Sequence, residues 1–312
     1  MNINRIKDYI LMVLLELRSN TQNSAMDPTK TPGILNSITI ILISCLFAFG
    51  SLLILIFIFG MAKIRLSSTL SFVPAIYFCI YLLFRLTTKR GYSFREVFRI
   101  NFISIKYIII LIVIGIGLAL IMGETVHLLR LGIDSLSTNL MIPEIDSKLL
   151  KDSLIAIFIY RVISMPILEE LIFNGLLLSS LENSLGPIKA VFYISLVFTL
   201  SHLVHPISLI AIFITSMAST IIVLRTNSII SGIIIHIINN GMSFVFIRVM
   251  HFKDYSNIFG QTPNFEIIQS ISMLIIGISI FVIGFGWLNR IIKIDKAKLI
   301  INIEPEAPLV QS

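Results

Sequence analysis

Charge is what this chain has least of. Its 312 residues are 56% hydrophobic and only 13% charged, about half the charged share of a soluble domain. Mean hydropathy is +0.96. With 24 Lys and Arg against 17 Asp and Glu, the chain cannot cover a soluble domain of this size with charge, so the soluble globular class is excluded. Disorder is excluded as well, because it needs the opposite composition. The two cysteines, Cys45 and Cys79, each sit inside an apolar run; they form no disulfide framework or metal knuckle and read as packing residues. Alternating-polarity strands, the mark of an outer-membrane barrel, are missing. So are H-E-x-x-H and G-x-S-x-G, and no aspartate falls inside an apolar run, which removes zincin, serine and aspartyl intramembrane hydrolases. The net charge of +7 comes from residues placed between apolar runs rather than on one face, so no nucleic acid is expected as a partner.

What is present is apolar sequence in long stretches. A helix crosses the bilayer core with about 20 apolar residues, and stretches of this kind fall at 35–61, 68–85, 103–123, 154–181, 188–204, 206–224, 228–250 and 267–289. The expected fold is all-α, a polytopic membrane bundle of about eight transmembrane helices, because helices satisfy their own backbone in lipid. Eight spans put both termini on one side. That side gathers 15 Lys and Arg, among them Arg85, Lys89, Arg95, Arg99, Lys189, Arg225 and Arg290, against 7 on the other. The bias places both termini in the cytoplasm and makes this an integral protein, expected in a bacterial plasma membrane, with lipid as a partner. The organisation expected is a cytoplasmic amphipathic segment at 1–33, helices one to three with an outer loop at 34–150, a core unit at 151–250, and a last helix with a basic, mobile tail at 251–312. The run Tyr9 to Leu17 is too short to span and reads as an interfacial helix rather than a signal peptide. The acidic stretch 124–153 is expected outside the membrane.

The informative polar residues lie inside the runs: Arg161, Pro166, Glu169, Glu170 and Asn174 in the fourth, His202 in the fifth, and His236, Asn239 and Asn240 in the seventh. A carboxylate at mid-membrane costs about 2.5–3.5 kcal/mol on insertion scales, which marks a functional site by default. At ~1.5 Å rise per residue, Glu169, His202 and His236 lie about 18, 21 and 12 Å from the cytoplasmic ends of their helices, within roughly 10 Å in depth. Glu170 and Asn174, Phe198 and His202, and His236 and Asn240 are each i,i+4 and share a helix face. Pro166 removes a backbone hydrogen bond just before the glutamates. A carboxylate in an apolar site can act as a general base on water, an imidazole can relay the proton, and a second imidazole with an amide can stabilise an oxyanion. Those parts suffice for amide hydrolysis. Taken alone, the paired glutamates also fit a proton or cation site of a transporter. Asn239 reads as an interhelical hydrogen bond. His205, beside Pro206, reads as interfacial. Gly115, Gly117 and Gly277 read as close-packing positions.

Three runs carry a resemblance. Glu169-Glu170-Leu-Ile-Phe173-Asn174-Gly175 resembles the first motif, E-E-x-x-F-R-G, of the CAAX-processing and bacteriocin-processing intramembrane proteases, which include the type II CAAX prenyl endopeptidases. Phe198-Thr-Leu-Ser-His202 is similar to their F-x-x-x-H, and His236-Ile-Ile-Asn-Asn240 to their H-x-x-x-N. The resemblance covers about residues 154–250. It implies that Glu169 and His202 activate water, that His236 and Asn240 stabilise the oxyanion, and that Glu170 supports them, with Phe198 and Asn174 alongside. It implies a peptide or membrane-protein substrate. Members are also described as metalloproteases, in which case Glu169, His202 and His236 would be the zinc ligands; the sequence leaves a metal-free and a Zn mechanism both open. The chain has Asn174 where the family has Arg. That substitution opens a further reading, a catalytically weakened member that binds peptides or acts in bacteriocin immunity.

Overall fold

The computed structural model describes residues 31–61, 68–136, 153–203, 206–245 and 263–303. The Tyr9–Leu17 run, His205, most of the outer loop and the last nine residues lie outside this set. The described chain is helical, with no strand. Each of the eight apolar stretches carries a helix: α1 Ile34–Met61, α2 Ser68–Lys89, α3 Ile105–Leu136, α4 154–185, α5 Pro187–Leu200, α6 Leu209–Thr226, α7 Ile229–Phe244 and α8 Pro263–Ile303. Among the described residues, five helices are long and apolar enough to cross a membrane: α1, α2, α3, α6 and α8. The α5 and α7 helices, of 14 and 16 residues, fall short of the roughly 20 a full crossing takes.

Three boundaries differ from expectation. The α3 helix runs on to Leu136, so Glu124 is a buried helical residue instead of part of an outer loop. The α8 helix continues beyond 289 to Ile303, so the basic stretch up to there is helix instead of a mobile tail. In that stretch Asp295 accepts hydrogen bonds from Lys106 Nζ at 2.6 Å and Tyr107 Oη at 2.9 Å. Finally, α5 ends at Leu200, which places His202 in the turn after the helix instead of within it. In each case local hydropathy marked the apolar run but not the contacts that prolong or end a helix.

The bundle is organised around α7. One core cluster joins Ile110, Leu111, Ile114 and Leu118 of α3 with Ile222 of α6, Ile235 of α7 and Phe285 and Leu288 of α8. A second joins Ile40, Leu83, Val97 and Phe98 to Leu171 and Leu176 of α4 and Ile229 of α7. A third packs Leu178 of α4 on Ala190 and Ile194 of α5 and Val223 of α6. The helices α3 and α8 cross closely at two glycines: a Cβ on Gly117 would lie 2.8 Å from the Phe281 backbone nitrogen, and one on Gly277 would lie 2.9 Å from Leu120 Cβ. Large apolar side chains instead face outward from α1 (Leu35, Leu42, Leu46) and α8 (Ile268, Ile275, Ile283). Exposed apolar surface on this scale needs lipid around it.

The start of α7 is pinned. Asn227 closes α6 in the left-handed conformation at φ 46°, a cap that asparagine tolerates. Its backbone carbonyl accepts from Asn101 Nδ2 at 2.7 Å. Ser228 donates to the Asn101 carbonyl at 2.5 Å, and the Ile229 amide donates to the Arg99 carbonyl at 3.1 Å. Arg99 is itself buried, ion-paired to Glu182 and donating to Asn227 Oδ1 at 3.2 Å. These bonds fix the axial position of α7 and so the height at which His236 enters the bundle.

Candidate active site

The α4 helix is continuous but not uniform. Phe158–Ser164 and Leu171–Leu177 are π-helical, and the α-helical turn Met165–Glu170 between them carries both glutamates. Pro166 accounts for the first wide stretch. In an α-helix its ring would clash with the carbonyl four residues back, and it has no N–H to give; widening the turn relieves the clash, and π turns of this kind gather at functional sites. The Met165 amide accordingly bonds the Tyr160 carbonyl, five residues back. Continuing that register, Pro166 would have to serve the Arg161 carbonyl and cannot. Asn240 of α7 does so instead, donating from Nδ2 at 3.0 Å. One N–H of Asn240 is thus committed to bracing the kink in α4, a use its H-x-x-x-N motif does not reveal.

His236 stands between the two glutamates. Its Nδ1 lies 3.2 Å from Glu170 Oε1 and its Nε2 lies 3.5 Å from Glu169 Oε2. Glu170 is 4% exposed and held on its other oxygen by Asn174 Nδ2 at 2.7 Å. Asn174 Oδ1 accepts in turn from Thr220 Oγ1 at 2.9 Å. Thr220, Asn174, Glu170 and His236 therefore form one chain of hydrogen bonds across α6, α4 and α7, buried at Thr220, Asn174 and Glu170. At the position where the related motif has Arg, the amide of Asn174 supplies the donor to Glu170 and is satisfied itself. Removing that amide leaves Thr220 Oγ1 and Glu170 Oε2 without this partner, so Asn174→Ala is expected to cost about 1–3 kcal/mol. The check is thermal unfolding in detergent, where Asn174→Ala and Thr220→Val should be non-additive.

Glu169 is differently placed. Its side chain is 18% exposed and lines a cavity of about 690 Å³ with Glu170, Asn174, Phe198, His202, His236 and Asn240. His202 Nδ1 faces the Phe198 carbonyl at 2.9 Å. A carbonyl only accepts, so Nδ1 carries the proton and Nε2 is the basic nitrogen of the neutral ring. Phe198 separates the imidazoles, its ring centroid 4.7 Å from that of His202 and 5.9 Å from that of His236, while Phe173 packs on its edge at 5.0 Å. All seven residues singled out from the sequence thus line one cavity.

Among the described residues no group of three or more His, Cys, Asp and Glu is placed to hold a metal ion. The glutamates address opposite nitrogens of His236 and bracket its ring.

The sequence reading missed two members of the site. Thr220 ends the hydrogen-bond chain and looks like any other helical threonine. Gly232 lies one turn before His236, where a Cβ would overlap Glu170 Oε2 and come within 2.9 Å of Val223 Cγ2. The i,i+4 series Gly232, His236, Asn240 is the signal that could have found it: the glycine leaves the gap that the glutamate fills. Asn239 donates to Met122 Sδ on α3 at 3.1 Å, the interhelical contact expected of it.

No curated protein and no solved structure matches the chain. Residues 151–242 match the family model described as type II CAAX prenyl endopeptidase Rce1-like. The matched segment carries all three motifs.

Proposed function

We propose that this protein is an intramembrane endopeptidase that hydrolyses peptide bonds of membrane-associated peptides or membrane proteins with a water activated by Glu169. The observation that carries the reading is the unequal placing of the two carboxylates. Glu170 is bonded on both oxygens and buried, whereas Glu169 faces the cavity with only the long contact to His236. The first is a positioning group and the second a base.

In the proposed reaction Glu169 takes a proton from water as the water oxygen bonds to the scissile carbonyl carbon. His202, with Nε2 as its acceptor nitrogen and its ring lining the same cavity as Glu169, holds that water. His236, carrying a proton on each ring nitrogen and steadied at Nδ1 by Glu170, presents Nε2–H to the developing oxyanion. The C–N bond then breaks, and the proton held by Glu169 passes to the leaving nitrogen. No covalent intermediate is needed, and the step uses only side chains that line the cavity. Both termini are proposed to lie in the cytoplasm of a bacterial cell, from the charge bias.

The test is purified protein in liposomes with a panel of fluorogenic, membrane-partitioning peptides. Cleavage of at least one peptide, lost in His202→Ala, is the expected outcome. Proton or cation flux that depends on Glu169, without cleavage, would replace the hydrolase by a transporter.

A further inference from the structure

Beyond the reacting groups, the cavity has a second polar wall. Along α6 the residues Thr215, Ser216 and Ser219 lie within four positions of one another and all line the cavity. Hydroxyls on an apolar helix are ordinarily quenched by the carbonyl one turn back, and this chain follows the rule: Thr215 donates to Ala211, Ser195 to Val191 and Thr199 to Ser195, at 2.7–2.9 Å. Ser219 does not. It is 7% exposed, and its Oγ has no hydrogen-bond partner among the described residues. On α7 a second atom is in the same condition. Asn239 spends its amide nitrogen on Met122, which fixes the amide plane, and its Oδ1 is buried without a partner. Leaving such atoms unsatisfied costs about 1–3 kcal/mol each, a cost a ligand would remove.

We infer that Ser219 and Asn239 form a subsite that grips the main chain of an extended peptide: the Ser219 hydroxyl donates to a backbone carbonyl and Asn239 Oδ1 accepts a backbone N–H. The two atoms are complementary, one able to donate and the other only to accept, as the alternating groups of a peptide backbone require. Their position ties them to the reacting groups. Ser219 is adjacent to Thr220, which ends the hydrogen-bond chain to Glu170, and Asn239 lies between His236 and Asn240. The volume of about 690 Å³ is within the range that encloses a short ligand segment. Recognition through the main chain would make the site tolerant of substrate side chains. The inference rests on the peptidase reading for its ligand and deepens it by naming what is held.

The test separates binding from cleavage by using the full chain carrying Glu169→Ala, in nanodiscs. The probe is a randomised decapeptide library in two forms, one with intact main-chain amides and one N-methylated at alternate residues, with retained peptides counted by mass spectrometry. The intact form should be retained about tenfold better. Ser219→Ala combined with Asn239→Leu should erase that preference, whereas Ser219→Thr, which keeps the hydroxyl, should preserve it. Equal retention of the two forms, a preference that survives the double variant, or no retention of peptide would overturn the subsite. Cleavage by the protein with Glu169 intact is scored in parallel. A chain that cleaves peptides without the amide preference would retain the peptidase reading and lose the subsite; one that prefers intact amides but never cleaves would do the reverse.

Discussion

Glu169→Ala is expected to lower peptide cleavage by about 10²–10⁴-fold, the range associated with a positioned general base, while the protein remains folded. Glu169 has no hydrogen bond that the bundle depends on; its nearest polar contact is 3.5 Å from His236. Thermal unfolding of the variant should therefore stay close to that of the unaltered chain. Glu170→Ala should behave differently even though the residues are neighbours. It removes a buried partner from both Asn174 and His236, so stability and activity should fall together. The measurement is the pair of variants, assayed for cleavage and unfolding in the same detergent. Loss of stability in Glu169→Ala, or a stable Glu170→Ala, would reverse the roles assigned to the two carboxylates.

The second large effect is expected at a residue with no functional group. Gly232→Ala introduces a Cβ where Glu170 Oε2 now sits, with Val223 closing the other side. By helix propensity alone, alanine in place of glycine stabilises a helix by roughly 1 kcal/mol. Here the added methyl must displace a carboxylate held by two hydrogen bonds. Misplacing a catalytic constellation by about 1 Å can cost 10²-fold, and a loss of that order in kcat/KM is expected. Gly241 supplies a matched control on the same helix. Its Cβ would meet only Val162 Cγ1 at 3.6 Å, an ordinary contact, so Gly241→Ala should keep full activity. Equal activity of the two alanine variants would mean that the seating of Glu170 against α7 does not set the proposed activity.

These two predictions mark the boundary of what could be read before the fold was known. The fold class followed from composition, since a chain with so few charges and such long apolar runs has only one way to satisfy its backbone in lipid. Glu169, Glu170, His202 and His236 were legible for a related reason: in an apolar run a single ionisable residue stands out, and i,i+4 spacing says which residues share its face. Helix ends were less legible. The α8 helix passes beyond its apolar segment to where Asp295 meets Lys106 of α3, and such a contact leaves no local hydropathy signal. The roles of Gly232 and Thr220 depend on which helix lies opposite, which spacing within one helix does not encode. Asn240 is the instructive case. Its motif pointed to an oxyanion donor, but the loss of an N–H at Pro166, on a different helix, draws one of its own N–H groups to the Arg161 carbonyl.

Asn174 also changes meaning once its neighbours are known. From the sequence it was a missing cation and a reason to doubt activity. In the bundle it is a satisfied link between Thr220 and Glu170. A neutral amide orients the carboxylate without adding a second charge to an apolar interior.

The measurement that bears most directly on the central claim is a search for new peptide termini. Full-length protein and its Glu169→Gln variant, reconstituted in parallel liposomes, would be incubated with a membrane-partitioned peptide library and the products sequenced by mass spectrometry. The account predicts new termini with the unaltered protein and their absence with Glu169→Gln, at equal folded protein. Termini produced equally by both, or by neither, would contradict it.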